Sequence, residues 1–450
     1  MTMRFTIPEA PKQIINTLRQ HGFEAYAVGG CVRDSLLGLT PHDWDVCTSA
    51  QPEEIKACFS QLETNDVGIA HGTVMVILHH QPYEVTTYRI DGDYKDNRHP
   101  ESVTFTRDLR EDLARRDFTV NAMAYDENDG LIDAFGGVKD LKNRLIRCVG
   151  DPDARFREDT LRILRALRFA SCYRFSIEAQ TAAAIRRNAS LLHHIAIERI
   201  TAEFTKLLCG DGAEEILNEY REVIAEFIPE LRQTFDFEQR NKHHIFDVYR
   251  HITRSVALAE PEPLLRYTML FHDIGKPRAC TEDKNGTRHF KGHPSYSADI
   301  AAEVLRRLRL PNNLTEPCLQ LILYHDVRYN GSVKQIRRLL NKLGEKQMRA
   351  LFRVQRADTL AQSEYLREEK LRLLDIAEEQ TEQIVREKQC VTLRQLAVNG
   401  RDLIDLGVRD GRTIGRLLER LLELVMDEEL PNEKAALLQA AKAIHNSVLE

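Results

Sequence analysis

Two aspartates one residue apart, Asp43 and Asp45, flank Trp44, the only tryptophan in the chain. In an extended segment, residues two apart face the same side. Both carboxylates can therefore aim at one point, about 7 Å apart along the chain. Hard oxygen donors of this kind suit Mg²⁺, and metal held this way serves phosphoryl transfer. Just upstream, the apolar run Ala25 to Val28 ends in Gly29-Gly30, and Val32, Leu36 and Leu37 then recur at helical spacing. The pattern predicts strand, tight turn, helix, then a second strand carrying both acids. Glycines at such a turn let a phosphate approach the backbone, and the helix N-terminus favours an anion. Glu84, in Y-E-V-T-T-Y-R, lies in a strand expected beside the acid-bearing one and is a candidate third acid. Arg115, Arg116 and Asp117 precede what reads as an apolar helix, F-T-V-N-A-M-A. Paired guanidinium groups, always charged and bidentate, suit a triphosphate.

Two further clusters carry chemistry. The stretch Asp153 to Phe169 reads as one helix, buried through Leu161, Ile163, Leu164 and Leu167, with Arg162, Arg165 and Arg168 every third residue. Asp159 and Arg162 fall one turn apart on it and can lie side by side. An Asp accepts hydrogen bonds and an Arg only donates. Cytosine and adenine each offer an amino donor beside a ring-nitrogen acceptor; uracil and guanine present the reverse. This pair can therefore choose C and A without a nucleic-acid template. The segment from 155 to 187 holds many arginines and few acids, a local basic patch suited to RNA phosphate. Between 240 and 360 stand His251, His272-Asp273, His293, His325 and Asp358 on helical patterns. Imidazoles and carboxylates on packed helices are what a one- or two-metal hydrolase site requires.

The elements that must hold these groups follow from the rest of the chain. At 450 residues it has room for two to four domains. A net charge of −6 confines any RNA contact to local patches. Nine scattered cysteines without a C-x-x-C pair fit a reducing cytoplasm, and no run of 18 apolar residues predicts a membrane span. Residues 8 to 22 and 51 to 59 read as helices, Thr73 to His79 and Tyr83 to Tyr88 as strands parted at Gln81-Pro82, and Asp91 to Pro100 as a polar loop. L-I-D-A-F-G-G-V-K-D-L-K-N-R-L-I-R reads as strand, Gly-Gly turn and closing strand. Beyond Gly331 the pattern is helical, punctuated by Gly400, Gly407 and Gly411.

V-G-G-C-V-R-D, D-W-D-V, E-V-T-T-Y-R, R-R-D-F-T-V-N-A-M-A and D-x-x-G-G-x-x-D-L occur here in the order that resembles class II tRNA nucleotidyltransferases, a family shared with bacterial poly(A) polymerases. These motifs span about a third of the chain. E-D-T-L-R, Glu158 to Arg162, is similar to the family's E-D-x-x-R nucleotide-selecting motif, and N-G-R-D-L-I-D-L-G resembles a motif of its tail. The resemblance implies an α+β fold: a nucleotidyltransferase head with a mixed sheet (1–150), then a helical neck (151–215), a body (216–375) and a tail (376–450), all helical. It implies addition of the 3′ C-C-A end to tRNA from CTP and ATP. Asp43 and Asp45 would hold Mg²⁺; Gly30, Arg33 and Arg116 the triphosphate; Asp159 and Arg162 the base. Arg165 and Arg168 would face the nucleotide or the tRNA end. F-H-D-I-G-K with its outlying ligands resembles the HD phosphohydrolases, which implies His251, His272, Asp273 and Asp358 as core ligands of a divalent metal, with His293 and His325 completing a second. His244 and Asp326 are left structural. Poly(A) polymerase, CC-adding enzyme, a chiefly HD-type phosphohydrolase and a non-catalytic RNA-binding protein remain as alternatives; the loop D-G-D-Y-K-D-N-R-H-P favours full C-C-A addition over CC addition.

Overall fold

The computed structural model describes residues 4–66, 68–92 and 102–449. The chain divides into two compact units, Met1–Arg232 with Arg307–Arg309, and Gln233–Arg306 with Leu310–Glu450.

The first unit opens with α1 (Glu9–Gln20), which buries Ile14, Ile15 and Leu18 and stops ahead of Gly22. There follow β1 (Ala25–Val28), α2 (Gly30–Leu36), β2 (Asp45–Thr48), α3 (Pro52–Cys58), β3 (Glu63–Asn65), β4 (Thr73–Leu78), β5 (Gln81–Thr87), β6 (Arg89–Asp91), β7 (Val103–Phe105), α4 (Leu109–Ala114), β8 (Met123–Asp126), β9 (Gly130–Asp133) and α5 (Gly137–Lys142). Seven strands make one mixed sheet in the order β3-β4-β5-β2-β1-β8-β9, with β2 and β5 parallel and the other pairs antiparallel. β1 and β8 are buried throughout, whereas β4 alternates buried and half-buried residues. The helices α6 (Pro152–Glu158), α7 (Leu161–Tyr173), α8 (Ala179–Asn188), α9 (Ile197–Leu208), α10 (Ala213–Glu219) and α11 (Arg221–Ile224) complete this unit.

The structure differs from the sequence expectations at five places. The first is β2, which begins at Asp45, leaving Asp43 in the exposed segment ahead of it. Its partner β1 pairs Val28 with Asp45 and then turns away at Gly29, so no ladder is available for Asp43. Second, F-T-V-N-A-M-A is no helix: Thr119–Asn121 is one 3₁₀ turn and Met123 already belongs to β8. A strand buried on both faces is a continuous apolar run that periodicity cannot tell from helix. Third, Gly136-Gly137 opens α5, anchored by the Asp133 carboxylate, which accepts from the Gly137 and Val138 amides at 2.7 and 2.9 Å. Fourth, the β4–β5 hairpin turns at His79-His80, both left-handed, and Pro82 lies within β5 opposite Ile77. β2 covers only Val85 to Thr87, so the missing proline N–H falls outside that ladder. Last, the arginine-rich helix is two helices. Asp159 stands extended between α6 and α7 and its carboxylate takes the Leu161 amide at 3.2 Å. An Asp that binds a following backbone N–H starts a helix rather than continuing one.

The second unit is largely helical: α12 (Val248–Leu258), α13 (Pro263–Phe271), α14 (Lys276–Ala279), α15 (His293–Arg307), α16 (Asn312–Tyr324), α17 (Val333–Ala361, broken at Gly344), α18 (Arg367–Arg386), α19 (Gly400–Asp405), α20 (Gly411–Met426) and α21 (Lys434–Leu449). Gly400 and Gly411 open α19 and α20, and around them Leu403, Leu417, Leu421 and Leu437 form a core. No described helix is long and apolar enough to cross a membrane.

Candidate active site

A cleft of about 420 Å³ in the first unit is lined by Gly29, Gly30, Arg33, Asp45, Arg116, Asp117, Asn121, Asp159, Arg162, Arg165 and Arg168. Eight of the nine nucleotide and Mg²⁺ candidates of the sequence thus line a single hollow, and Asp43 stands outside its lining. Gly29 joins β1 to α2 at φ 81°, and a Cβ added there would sit 3.0 Å from Arg116 Nη1. That turn therefore needs glycine twice over, for its backbone angle and for the guanidinium packed on it.

Asp45 opens the acid side. Burial first, then Glu84 and Asp43, push its carboxyl up to about 6, against the pull of Arg116. β2 and β5 pair Val46 with Val85, so Asp45 and Glu84 stand at the same level on adjacent strands. Two further carboxylates whose fields reach Asp45 disfavour its ionisation and favour a cation beside it. Oxygen donors of this type fit Mg²⁺, which keeps several waters of its own.

On the opposite wall the charges are already engaged. Arg33 is buried, donates to Asn121 Oδ1 at 2.6 Å, and lies 4.9 Å from the ring centres of both Phe169 and Tyr173. Asn121 donates to Asp117 Oδ1 at 3.0 Å, and Arg165 donates twice to Asp117 Oδ2 at 2.6 and 2.8 Å. Burial alone would push the Asp117 carboxyl up, but Arg165, the Asn121 amide and Arg162 together hold it at about 2. Arg162 pairs with Glu158 at 2.7 Å, not with Asp159. Asp159 has Arg199 of α9 at 3.6 Å instead, and a second Arg199 nitrogen is buried without a partner. Arg168 pairs with Glu203 at 3.2 Å, and Arg187 with Asp153 at 2.6 Å. The arginine run is thus mostly ion-paired within its own unit, less of an open patch than its composition indicates.

The second unit gathers the histidines. Asp273 Oδ2 lies 3.1 Å from His251 Nε2 and 3.3 Å from His272 Nε2, while Oδ1 lies 3.0 Å from His293 Nε2 and 3.6 Å from His325 Nε2. Asp358 Oδ1 reaches His251 at 3.0 Å. Nδ1 of His272, His293 and His325 faces the carbonyl of Met269, Phe290 and Ile322 at 2.7, 2.9 and 2.7 Å. A carbonyl only accepts, so each Nδ1 carries a hydrogen and Nε2 is the nitrogen left to take a proton or a metal. Nε2 of His293 and of His325 are 3.1 Å apart beside Asp273 Oδ1: three acceptors and no donor. Only a proton or a metal cation satisfies such a convergence. Asp273 and Asp358 push the His272 imidazole up to about 10 despite its burial, so a proton carries the charge that a metal would displace. Gly275 lets α15 close on this centre, since a Cβ there would meet Ser297 N at 2.4 Å. Among the described residues, His251–His272–Asp273 and Asp273–His293–His325 are the triplets whose ligand atoms converge within 4.8 Å.

Comparison with known proteins shows the family of the chain. Residues 25–147 match the model of the poly A polymerase head domain, 174–233 that of a probable RNA and SrmB-binding site of polymerase A, and 293–441 that of a putative tRNA nucleotidyltransferase domain 2. The CCA-adding enzyme of Enterococcus faecalis is 36% identical over 442 residues, 97% of each chain. The chain belongs to the CCA-adding enzymes. That of Geobacillus thermodenitrificans is 52% identical over 228 residues, 50% of this chain and 56% of the relative. The Bacillus stearothermophilus CCA-adding enzyme solved with CTP superposes with a TM-score of 0.74 at 31% identity, covering 98% of this chain and 99% of that one. Like its family, this chain is a nucleotidyltransferase that works with a divalent metal.

Several groups in this CCA-adding enzyme escape a reading of the sequence. Asn121, four residues beyond Asp117, links it to Arg33, and the R-R-D-x-x-x-N spacing is the signal that could have exposed it. Arg199 and Glu203 sit one turn apart in an ordinary amphipathic helix and carry no such signal. His244 and Asp326 line the cavity beside the histidine centre rather than serving a remote structural role; Lys276 lies 2.6 Å from Asp273 and 3.3 Å from His244. Of the loop Asp91–Pro100, residues 93–100 lie outside the described residues.

The raised Asp45 has a measurable consequence. The folded protein holds this proton more tightly than the unfolded chain, so the carboxylate's contribution to stability falls as pH climbs from 3.8 to about 6 and stays unfavourable above. Asp45→Asn is expected to raise the melting temperature of metal-free protein at pH 8, and the gap should narrow at pH 4 or on adding Mg²⁺. A variant that melts below the wild type at pH 8 without metal contradicts the assignment.

Proposed function

We propose that the first-unit cleft carries out template-independent addition of the 3′-terminal C-C-A to tRNA from CTP and ATP. The observation that carries this reading is that one hollow joins Asp45, the Gly29-Gly30 turn, Arg33 and Arg116 to Asp159 and Arg162. The whole-length likeness to CCA-adding enzymes supports it, including the structure solved with CTP and one from Thermotoga maritima, of the same fold at a TM-score of 0.59, solved with tRNA. Asp43 and Asp45, with Glu84 nearby, would hold Mg²⁺, which would supply positive charge for the tRNA 3′ hydroxyl and the α-phosphate. Gly30, Arg33 and Arg116 hold the triphosphate at the start of α2. Arg162 donates to N3 of cytosine or N1 of adenine, and Asp159 accepts from the exocyclic amino group. Arg165 and Arg168, braced by Asp117 and Glu203, fix the wall against which the base rests. Head, neck, body and tail (1–150, 151–215, 216–375, 376–450) divide this labour, the tail serving the tRNA. Nine cysteines with no disulfide among them support a reducing cytoplasm as the setting. The test is incorporation of each labelled NTP into tRNA lacking its 3′ end: strict use of CTP and ATP, ending after A, is the expected result, whereas a growing A tail points to poly(A) synthesis and arrest after C-C to a CC-adding enzyme.

The converging acceptors support a second reading for the histidine centre, that of an HD-type phosphohydrolase. His251, His272, Asp273 and Asp358 would hold one divalent metal, and Asp273, His293 and His325 another. In ester hydrolysis a water oxygen bonds to phosphorus, the P–O ester bond breaks, and a proton passes to the leaving oxygen. Asp273→Asn is expected to lose bound Mn²⁺, counted by plasma mass spectrometry, together with any release of phosphate from 2′,3′-cyclic nucleotides, while C-C-A addition persists. A wild type that binds no Mn²⁺, Ni²⁺ or Mg²⁺ there sinks this reading.

A further inference from the structure

The cavity over the histidine centre is far larger than the chemistry of one phosphate needs. It encloses about 1100 Å³, at the upper end of what small-molecule sites occupy. On the side bounded by the start of α18 and the loop after α16, basic groups crowd together. Lys242, Arg328 and Lys370 all line this space, and none forms an ion pair among the described residues. His243 lies among them with its Nδ1 buried and unpartnered. Burial, then the fields of Lys370, Arg328 and Lys242, hold that imidazole below its usual range, although Asp326, Asp358 and Glu369 line the same cavity. Lys370 donates to Gln362 at 2.5 Å, and Gln362 donates to Asp358 Oδ2 at 3.0 Å, so the basic group stands two hydrogen bonds from the metal-ligating carboxylate. Lys242 reaches the Tyr365 hydroxyl at 2.5 Å, and the Tyr365 ring, 40% exposed, lies 5.1 Å from that of His243.

We propose that Lys242, Arg328 and Lys370 form a second phosphate subsite, so that the histidine centre takes the end of an oligonucleotide in preference to a mononucleotide. The inference rests on the phosphohydrolase reading for what happens at the metals, but the subsite itself is a binding claim. Cations without a carboxylate partner along such a cavity are an ordinary means of holding a single strand, whose backbone phosphates they follow. A mononucleotide leaves this half of the cavity empty. A dinucleotide brings its inner phosphodiester to the cations while its terminal phosphate lies at Asp273.

The test uses the full-length protein. Binding of a 3′-phosphorylated cytidine dinucleotide and of cytidine 3′-monophosphate is measured by calorimetry, first metal-free and then with Mn²⁺; hydrolysis of the two corresponding 2′,3′-cyclic phosphates is followed alongside. The dinucleotide should bind at least about tenfold tighter, with the advantage expressed in KM. Arg328→Ala and Lys370→Ala, each checked by circular dichroism, should collapse the ratio, and Arg328→Lys should restore part of it. Equal binding of the two ligands by the wild type, or a ratio untouched by both alanine variants, overturns the subsite even where the cyclic esters are hydrolysed. A ratio that depends on Arg328 in a protein that hydrolyses neither ester upholds the subsite and removes only the hydrolase reading.

Discussion

Asp45→Ala should abolish nucleotide addition while tRNA binding stays within about threefold of the wild type. The carboxylate sits where β2 begins, beside Glu84 on the parallel strand, and its pKa is raised first by desolvation and then by the negative charge of Glu84 and Asp43. Removing it takes away an oxygen ligand that has no neutral substitute nearby. A loss on the order of a thousandfold corresponds to about 4 kcal/mol of transition-state stabilisation, within what a Lewis-acidic metal supplies. Asp43→Ala should fall nearly as far, although Asp43 lies ahead of the strand, since a metal held outside the sheet edge needs a ligand from that side. Single-turnover incorporation of labelled CTP, with affinity read by gel shift, separates chemistry from binding. Either variant running at a tenth of the wild-type rate removes the metal assignment.

The second large effect is on fidelity. Asp159→Ala removes the acceptor for the amino group of C and A and leaves Arg162 free to donate to a carbonyl of uracil. An unpaired buried polar group costs about 1–3 kcal/mol, so discrimination against UTP should fall roughly ten- to a hundredfold. Glu158→Ala is the informative control for a reason the structure supplies. Glu158 holds Arg162 at 2.7 Å and also pairs with Arg155. Its loss should slow all four nucleotides by loosening Arg162, yet leave C and A preferred. Incorporation of the four nucleotides on one tRNA substrate decides between them. Strict choice in Asp159→Ala, or equal loosening in Glu158→Ala, places the base reader elsewhere.

The strand-turn-helix at Gly29-Gly30 was legible because it rests on a local rule, glycine at positive φ after an apolar strand, and the convergence of His251, His272, Asp273, His293 and His325 followed from residue types on helical patterns; strand spacing of the acids held for Asp45 and not for Asp43. What it hid were partners contributed from afar. Arg199 meets Asp159 across 40 positions of sequence, and Arg162 takes Glu158, four residues back, while Asp159 stands extended between α6 and α7. The F-T-V-N-A-M-A run misled for another reason, since a strand covered on both faces loses the alternation by which strands are recognised. Pro82 misled because a proline within a strand is tolerated where the neighbouring ladder has ended.

Asp117 has two oxygens and three claimants. Oδ1 accepts from Asn121, which steers Arg33, and from the Phe118 amide; Oδ2 is taken by Arg165. One buried carboxylate is thus the shared pivot of the wall that grips phosphate and the wall that meets the base. Errors introduced there cannot stay private to either. Among variants of this pivot, affinity for the triphosphate tail and fidelity toward the base should drift together along one line, so that a miscoding enzyme of this kind is also a weakly binding one. Accuracy and grip are, at this residue, the same mechanical property.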